Sequence, residues 1–305
     1  HALDLDRAYG TRFAAAVFTN LSQDHLDWHR TMVDYFASKM VLFTEYTRFS
    51  PDMVAAVNID DTWGAQVAEE AECPVTTYGM KKRADVTATG VTLSPDGTSL
   101  TLHIPGGTAE TRLQLVGLFN VYNALSAAAC CHAMDFSVAE ISAGLSSAPP
   151  VAGRLERVSA GQDFTVLVDY AHTPEALKNA LEVCRSLNPD RLICVFGCGG
   201  DRDTSKRPKM GHIATKLSDI TVITSDNPRS EDPADIIAHI EMGARGAEYE
   251  VEIDRRAAIE KACRRAGAGD IVLIAGKGNE TYQEFADRRI EFDDREVARE
   301  ALQQL

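Results

Sequence analysis

The stretch VFGCGGDRDTSKRPKMGHIATKLSDITVITSDNPRSEDP, residues 195–233, decides the fold of the C-terminal half of this chain. With the apolar residues 192–194 in front of it, the stretch begins as a buried parallel strand that runs into a glycine-rich turn. A second apolar strand is predicted over 219–224, directly before the segment SDNPR. Because ligands of an open α/β sheet bind beyond the carboxyl ends of its strands, this pattern predicts a binding site where these two strands end.

Both predicted strand ends carry charged side chains of both signs. The first turn holds Asp201 and Arg202, and the second holds Asp226 and Arg229. A guanidinium beside a carboxylate at each of two adjacent strand ends can recognise a zwitterionic ligand. Two solvated loops with surface ion pairs would explain the same composition equally well, so the residue types alone leave both interpretations open.

Two ordered motifs in this stretch carry more information than its composition. The segments GCGGDRDTSKRPKMG, residues 197–211, and SDNPRSEDP, residues 225–233, resemble the C-terminal domain of the Mur ligases. Further matching motifs extend from residue 1 to about residue 286. The resemblance implies an α/β fold, with the remainder of a Mur-ligase central ATPase-type domain followed by a Rossmann-like doubly wound C-terminal domain.

Within that family, the motifs resemble members that use ATP and Mg²⁺ to add meso-diaminopimelate to UDP-N-acetylmuramoyl-L-alanyl-D-glutamate in peptidoglycan precursor synthesis. In the implied reaction ATP phosphorylates the γ-carboxylate of D-glutamate, and the incoming amine then attacks the acyl phosphate and releases phosphate. A lysine-adding ligase, a folylpolyglutamate synthetase-like ligase and a non-catalytic binding module are the alternatives. The DNPR segment at 226–229 argues against the first two, and substrate binding without turnover would indicate the third.

The composition is that of an ordinary globular protein, with 305 residues, 45% hydrophobic and 25% charged. The net charge of -14 argues against a nucleic acid or an anionic membrane as partner, because such surfaces are bound by clustered lysines and arginines. The seven cysteines show no paired metal spacing, which is typical of reduced thiols. No signal pattern or membrane-length apolar run is present, so a cytoplasmic protein is expected. We separately expect a monomer.

A Pro/Gly/Ser/Ala cluster at 146–153, SSAPPVAG, predicts the domain boundary. Residues 1–152 are expected to be part of the central, ATP-binding domain, and residues 153–305 the C-terminal, amino-acid-binding domain. The chain contains no G-x-x-x-x-G-K-[ST] motif. Because it begins inside a segment that resembles the central domain, we expect the P-loop part to precede it and this chain to be inactive alone.

The apolar patterns predict the order of the elements. Antiparallel hairpins are expected over 84–115, with turns at the PDG and IPGG segments. Strands are predicted at 13–21, 53–60, 164–169, 249–253 and 270–275, and helices at 31–44, 61–72, 118–134, 174–187, 233–242 and 255–266.

The segments TNLSQDHLDWH, residues 19–29, and YFASK, residues 35–39, resemble the family's metal-binding segment. By that resemblance His25 is a magnesium ligand and Lys39 is carbamylated. A carbamate presents anionic oxygens to a hard cation, whereas a lysine ammonium repels it. The alternative is an ordinary exposed lysine on a helix and a loop histidine that caps a turn.

Three further motifs resemble the nucleotide-binding segments of the family: FNVYN at 119–123, GRLE at 153–156 and DYAHTP at 169–174. The asparagines of the first are expected at the base, and the others near the ribose and phosphates. Asn120 could instead be an N-cap, and both roles are compatible. The nucleotide-binding residues implied by the resemblance are Asn120, Asn123, Arg154, Asp169 and His172.

The amino-acid site implied by the resemblance combines both strand ends with GKGNE at 276–280. The family usually has GKGHE there, so Asn279 puts the contribution of that histidine in doubt. Arg229 would pair with the carboxylate that distinguishes diaminopimelate from lysine. Alternatively, it is a surface arginine paired with Glu231 or Asp232. The expected contacts are Arg202, Asp226, Asn227, Arg229, Gly276 and Glu280.

Overall fold

The computed structural model describes residues 1–22 and 28–305. It divides the chain into two compact units. The first unit comprises residues 1–93 and 97–148, and the second comprises residues 94–96 and 149–305. Within the described ranges, none of the helices combines the length and the apolar character that crossing a bilayer requires.

The first unit begins with a three-stranded parallel sheet in the order β1-β2-β3. The predicted helix at 31–44 is shorter in the structure: it ends at Met40 and is followed by a 3-10 helix at 45–48. Strand β3 was not predicted. The elements are β1 (Ala15–Phe18), α1 (Met32–Met40), β2 (Val54–Asn58), α2 (Thr62–Glu70) and β3 (Val75–Tyr78).

The second half of this unit is an antiparallel sheet covered by two helices. The hairpin pattern predicted over 84–115 is confirmed in the order β4-β5-β6. Asn120 is not the N-cap of the long helix, because Gly117 occupies that position and Asn120 lies in the first turn. The elements are β4 (Thr87–Ser94), β5 (Gly97–Ile104), β6 (Gly107–Leu113), α3 (Leu118–Ala133) and α4 (Val138–Ser147).

The second unit is built on a six-stranded sheet in the order β11-β10-β9-β12-β8-β7. All its pairings are parallel except that of β7 with β8. Its elements are β7 (Glu156–Val158), β8 (Thr165–Asp169), α5 (Pro174–Ser186), β9 (Leu192–Phe196), α6 (Lys206–Leu217), β10 (Ile220–Ile223), α7 (Pro233–Ala244), β11 (Glu250–Val251), α8 (Arg255–Arg265), β12 (Ile271–Ala275), β13 (Tyr282–Glu284), β14 (Arg289–Glu291) and α9 (Asp294–Leu302).

Apolar residues on both faces of the central strands explain why this sheet is covered on both sides. Every residue of β8, β9 and β12 is buried. One core joins the sheet to α5, α6 and α7, and the other joins it to α8 and α9. The predicted doubly wound fold is confirmed, whereas β7, the hairpin of β13 and β14, and α9 were not predicted.

The topology brings four loops to one edge of the sheet. Strand β12 lies between β8 and β9, and β10 lies on the other side of β9. Since these strands are parallel, the loops that follow them share the carboxyl edge. The loops after β9 and β10 pack backbone against backbone, because a Cβ on Gly200 would lie 1.9 Å from the carbonyl oxygen of Pro228.

A buried arginine at the start of α8 ties this edge together. The Nε and Nη2 atoms of Arg255 each donate to a carboxylate oxygen of Asp294 at 2.8 Å. Nη1 donates to the carbonyl of Ser225 at 3.1 Å, and Nη2 to that of Ala275 at 3.0 Å. Both charged side chains are fully buried. Arg255 therefore joins the ends of β10 and β12 to the start of α9.

We expect Arg255→Ala to destabilise the protein strongly, because it leaves the Asp294 carboxylate buried without its partner. Breaking a buried pair in this way costs about 3 to 5 kcal/mol. At roughly 2 to 4 °C per kcal/mol, the melting temperature of the C-terminal domain should fall by roughly 6 to 20 °C in calorimetry.

The neighbouring Arg256 provides the matched control. Its guanidinium is half exposed and pairs with the half-exposed Glu300. Arg256→Ala should cost about 1 kcal/mol or less. Equal melting temperatures for the two variants would show that the buried pair does not hold the loops.

Candidate functional site

The loops after β9 and β10 are joined by a second buried arginine. Arg207, in the first turn of α6, is fully buried. Its two terminal nitrogens donate to the two carboxylate oxygens of Glu231 at 2.8 Å each, and Nη2 also donates to the carbonyl of Gly199 at 3.3 Å. Glu231 in turn accepts the backbone N–H of Asp201 at 2.6 Å. This bidentate pair fixes the glycine-rich turn against the SDNPR segment.

The same contacts change the acidity of Glu231. Its hydrogen bonds with Arg207 and with the backbone N–H of Asp201 lower its pKa to about 2, from an ordinary value of 4.5. The carboxylate therefore stays ionised at all pH values near neutrality, and the link between the two loops stays charged on both sides.

Arg229 lies between the two loops rather than on the open surface. Its Nε donates to a carboxylate oxygen of Glu284 at 3.0 Å, and its Nη1 donates to the carbonyl of Gly200 at 2.8 Å. The proposed surface pairing with Glu231 or Asp232 is wrong, because Glu231 is held by Arg207 and Asp232 caps α7. In the described part of the chain, Nη2 of Arg229 makes no hydrogen bond, so one side of the guanidinium is open to a ligand.

Arg202 is more loosely held than Arg229. Its side chain is exposed, and Nη1 donates to the carbonyl of the preceding Asp201 at 2.9 Å. Both arginines lie beside Gly199: a Cβ built there would be 3.0 Å from Nη1 of Arg229 and 3.9 Å from Cγ of Arg202. Two cations thus face the same turn.

Asn227 and Glu280 meet across the ends of β10 and β12. The Nδ2 of Asn227 donates to Oε2 of Glu280 at 2.8 Å. Lys277, which the sequence analysis did not single out, donates from Nζ to Oδ1 of Asn227 at 2.9 Å and to Oε2 of Glu280 at 3.1 Å. The only signal for Lys277 in the sequence is its place between two glycines after a buried strand.

These contacts decide what Asn227 and Glu280 can offer a ligand. Oδ1 of Asn227 also accepts the backbone N–H of Glu284 at 3.0 Å, so both of its lone pairs are used. One amide hydrogen of Asn227 and the Oε1 oxygen of Glu280 have no protein partner within the described ranges. The asparagine can therefore donate to a carboxylate, and the glutamate can accept from an ammonium.

Asp226 supplies a second free acceptor. Its side chain is buried, and Oδ1 accepts the N–H of Asn227 at 2.7 Å. Oδ2 is buried with no hydrogen-bond partner among the residues that the structure describes. Gly276, at φ +124°, faces this oxygen, and a Cβ there would lie 2.5 Å from it. The structure thus brings the six predicted amino-acid contacts to one edge of the sheet, whereas Asn279 is exposed.

The predicted nucleotide residues of the second unit gather around Tyr170. The ring of His172 lies 4.6 Å from that of Tyr170, and the guanidinium of Arg154 lies 5.1 Å from the same ring. Asp169, at the end of β8, accepts the N–H of Leu155 at 2.8 Å. Burial raises the pKa of Asp169, and this hydrogen bond only partly offsets the effect.

The two predicted asparagines of the first unit differ in burial and in how far their amides are already hydrogen-bonded within the protein. Asn120 is buried, donates to the carbonyl of Val116 at 2.9 Å and accepts from Nδ2 of Asn123 at 3.0 Å. Its amide is therefore occupied by the start of α3. Asn123 is exposed and lines a cavity of about 340 Å³ at the carboxyl ends of β1 and β2.

An aspartate organises that cavity. Asp60 accepts the backbone N–H groups of Met80, Lys81 and Lys82 at 2.6, 2.9 and 2.7 Å, and the hydroxyl of Tyr122 at 2.8 Å. Burial opposes its ionisation, but these hydrogen bonds outweigh burial and lower its pKa. Burial and the bond to Asp60 raise the pKa of Tyr122 to about 12. The sequence analysis did not identify this network.

The predicted metal ligands are only partly described. His25 lies outside the described residues. Lys39 is half-buried, with Nζ 5.0 Å from the centre of the Tyr35 ring. The buried His29 stacks on the same ring at 4.9 Å, and its Nε2 has no hydrogen-bond partner in the described ranges. Within those ranges, no group of three His, Cys, Asp or Glu residues could hold a metal ion.

Two family models match the chain. The model described as "Mur ligase middle domain" matches residues 1–131, and the one described as "Mur ligase, glutamate ligase domain" matches residues 153–278. Relatives named UDP-N-acetylmuramoyl-L-alanyl-D-glutamate–2,6-diaminopimelate ligase include that of Syntrophomonas wolfei subsp. wolfei, 48% identical over 99% of this chain and 62% of its own length. The protein of that name from Bacillus licheniformis is 47% identical over 100% of this chain and 63% of its own length.

Solved structures show the same relationship. A structure titled as that diaminopimelate ligase aligns with a TM-score of 0.73 and 34% identity, covering 100% of this chain and 63% of its own. A folylpolyglutamate synthase from Thermotoga maritima aligns with a TM-score of 0.63 but only 17% identity, over 86% of this chain and 57% of its own, which shows a shared fold alone. The chain thus spans about 62% of the length of the first relatives that it matches.

The lowered pKa of Glu231 predicts how stability depends on pH. A carboxylate with a depressed pKa stabilises the fold above its unfolded value, 4.5, and this contribution is lost as the pH falls towards about 2. We expect Glu231→Gln to lower the melting temperature most at pH 7, and the difference from wild type to shrink steadily below about pH 4.5, measured by circular dichroism.

Glu300→Gln is the control, since this half-exposed carboxylate pairs with Arg256 on the surface. It should change the melting temperature little at any pH. A Glu231→Gln effect of the same size at pH 7 and pH 3 would contradict the assignment of a strongly acidic, paired carboxylate.

Proposed function

Because the chain belongs to the Mur ligase family, we propose that the full-length protein is an ATP-dependent ligase that adds meso-diaminopimelate to UDP-N-acetylmuramoyl-L-alanyl-D-glutamate. The reaction forms an amide in peptidoglycan precursor synthesis. The observation that carries the proposal is the set of charges at the carboxyl edge of the second sheet, which complements an amino acid with an additional carboxylate. We further propose that the protein acts as a monomer in the cytoplasm.

Each group of the amino acid has a complement at this edge. The open side of Arg229 and the exposed Arg202 are cations for carboxylates, and the free amide hydrogen of Asn227 is a neutral donor for one. The free oxygens of Glu280 and Asp226 are acceptors for an ammonium. Gly276 leaves the approach to Asp226 clear of a side chain. The site is suited to a zwitterion whose charges are separated along a short chain.

Arg229 supports diaminopimelate rather than lysine as the amino acid. The two differ by one carboxylate, and placing that anion in a cleft without a cation costs several kcal/mol, on the order of the penalty for an unpaired buried charge. Arg229 is already held on two sides, by Glu284 and by the carbonyl of Gly200. It is therefore positioned before the ligand arrives, which reduces the entropy lost on binding.

We assign the nucleotide to the remaining predicted residues. Asp169, His172 and Arg154 surround Tyr170 at the end of β8, close to the ends of strands that form the amino-acid site. Of the two predicted asparagines in the first unit, Asn123 is exposed, and Asn120 orients it through the bond between their amides. Asn120 thus acts on the base through its neighbour, since its own amide is occupied.

Mg²⁺ is proposed at His25 and Lys39, with the lysine as its carbamate. Lys39 is half-buried, with Nζ 5.0 Å from the centre of the Tyr35 ring, and its carbamate would present anionic oxygens to the ion. The ion would neutralise charge as the phosphoryl group moves to the γ-carboxylate. The rest of the task falls to the chain's own residues, which hold the acyl phosphate and the amine in contact.

Assay of the full-length protein tests the proposal. Release of phosphate and formation of ADP should require ATP, UDP-N-acetylmuramoyl-L-alanyl-D-glutamate and diaminopimelate together, with a tripeptide product in mass spectrometry. A non-catalytic binding module would bind these compounds in calorimetry without product, and that outcome would overturn the proposal.

Replacing Arg229 tests the recognition of the amino acid. Arg229→Ala removes a charge-assisted pair of about 1.5 to 3 kcal/mol, so the KM for diaminopimelate should rise roughly tenfold or more. The KM values for ATP and for the UDP-substrate should change little. Arg264→Ala, an exposed arginine on α8, is the control and should leave all three constants unchanged. A normal KM for diaminopimelate in Arg229→Ala would refute the assignment.

Replacing Lys39 tests the proposed carbamate. Lys39→Ala should abolish ligase activity in the full-length protein, and added formate or acetate should restore part of it by supplying an anion to the metal. Lys178→Ala, an exposed lysine on α5 that pairs with Glu182, is the control and should retain activity without any response to carboxylates. A Lys39→Ala enzyme as active as wild type would exclude this role.

A further inference from the structure

Lys277 is a buried cation that is not among the residues proposed to contact the amino acid. Its side chain is fully buried, in the turn between Gly276 and Gly278. Its Nζ lies 5.3 Å from the centre of the Tyr282 ring and donates to Asn227 and Glu280. Both hydrogen bonds of this ammonium go to residues of the proposed amino-acid site. Burying an ammonium is costly, so its position calls for a physical reason.

The reason lies first in the orientation of Asn227. An asparagine side chain can present either its oxygen or its NH₂ group to a ligand, and only its partners decide which. Here Nζ of Lys277 and the backbone N–H of Glu284 both donate to Oδ1. A flipped amide would place NH₂ against two donors. Lys277 therefore keeps the NH₂ group on the side of Glu280.

The second effect is on Glu280. Its Oε2 accepts from Nζ of Lys277 at 3.1 Å and from Nδ2 of Asn227 at 2.8 Å. With one oxygen held by two donors, the carboxylate is fixed in position and its other oxygen is directed away from them. Burial lowers the pKa of Lys277, and the nearby Arg255 adds to this, whereas the carboxylates of Asp226 and Glu280 oppose it.

We propose that Lys277 is the positioning residue of the amino-acid site, holding Asn227 as a donor to the ligand carboxylate and Glu280 as an acceptor from its ammonium. It contacts no substrate itself. This inference rests on the proposed function, because it concerns how the same site recognises its amino acid. It goes further than the proposed function, because it explains through one buried lysine why Asn227 donates to the ligand and Glu280 accepts from it.

Lys277→Met in the full-length protein tests the proposal, because methionine retains an unbranched apolar side chain near Tyr282 and removes the donor. We expect the KM for diaminopimelate to rise about tenfold or more, on the scale of lost charge-assisted hydrogen bonds. The KM for ATP and kcat at saturating diaminopimelate should change less than about threefold, as expected for lost binding that is equal in ground and transition states. Lys277→Gln, which keeps a donor, should recover part of the affinity.

Lys178→Met is the matched control, since this lysine is exposed on α5 and pairs only with Glu182 at 3.6 Å. It should have wild-type constants. A wild-type KM for diaminopimelate in Lys277→Met would overturn the proposal. An equal rise in the KM for ATP and in the KM for diaminopimelate would also overturn the proposal, because a lysine with a purely structural role would disturb both sites. If neither Lys277 variant folds, judged by cooperative melting, the role is structural and the proposal is wrong.

A double-mutant cycle tests whether Lys277 affects the KM for diaminopimelate through Asn227. If Lys277 acts partly through Asn227, then Lys277→Met should raise the KM for diaminopimelate by a clearly smaller factor in an Asn227→Ala background than in the wild-type protein, because only its effect on Glu280 remains. Fully additive effects would contradict the mechanism. Failure of the proposed function is distinguishable, because the wild-type protein would then form no diaminopimelate product in the same assay.

Discussion

A buried guanidinium must be paired, and two of them, Arg207 and Arg255, set the geometry of this sheet edge. Arg207 holds Glu231 and the carbonyl of Gly199, and Arg255 holds Asp294 together with carbonyls at the ends of β10 and β12. Each arginine lies in the first turn of a helix and reaches back to the carboxyl ends of the strands and the loops that follow them. The parallel strands place the loops side by side, and the arginines hold their relative positions.

This rigidity has a functional consequence. The groups proposed to bind the amino acid are held by protein partners before any ligand is present: Arg229 by Glu284, Asn227 by Lys277, and Glu280 by both Asn227 and Lys277. Few of their polar atoms remain without a protein partner in the described ranges, and each of these atoms can act only as a donor or only as an acceptor. Such preorganisation lets the site distinguish a small polar ligand from a relative that differs by one charge, because the additional carboxylate meets a cation that is already in position.

The sequence predicted the five parallel strands of the second sheet and the convergence of six motif residues on its carboxyl edge, because uninterrupted apolar runs and ordered motifs are local signals. It did not predict the partners of those residues. Arg207 and Glu231 are 24 positions apart, and Arg255 and Asp294 are 39 apart, so only the fold brings them together. Lys277 and Asp60 were missed because a single charged residue in a turn has no local pattern. The alternative role of Asn120 as an N-cap is wrong, because Gly117 occupies the N-cap position.

The carboxyl edge of the six-stranded sheet is proposed to recognise the additional carboxylate that distinguishes diaminopimelate from lysine. A competition assay tests it most directly: the full-length protein receives ATP, Mg²⁺, UDP-N-acetylmuramoyl-L-alanyl-D-glutamate and equal concentrations of meso-diaminopimelate and L-lysine, and the products are separated by mass. The account predicts that the diaminopimelate product predominates by about tenfold or more, the discrimination expected from one charge-assisted pair. Equal amounts of the two products, or an excess of the lysine product, would contradict it.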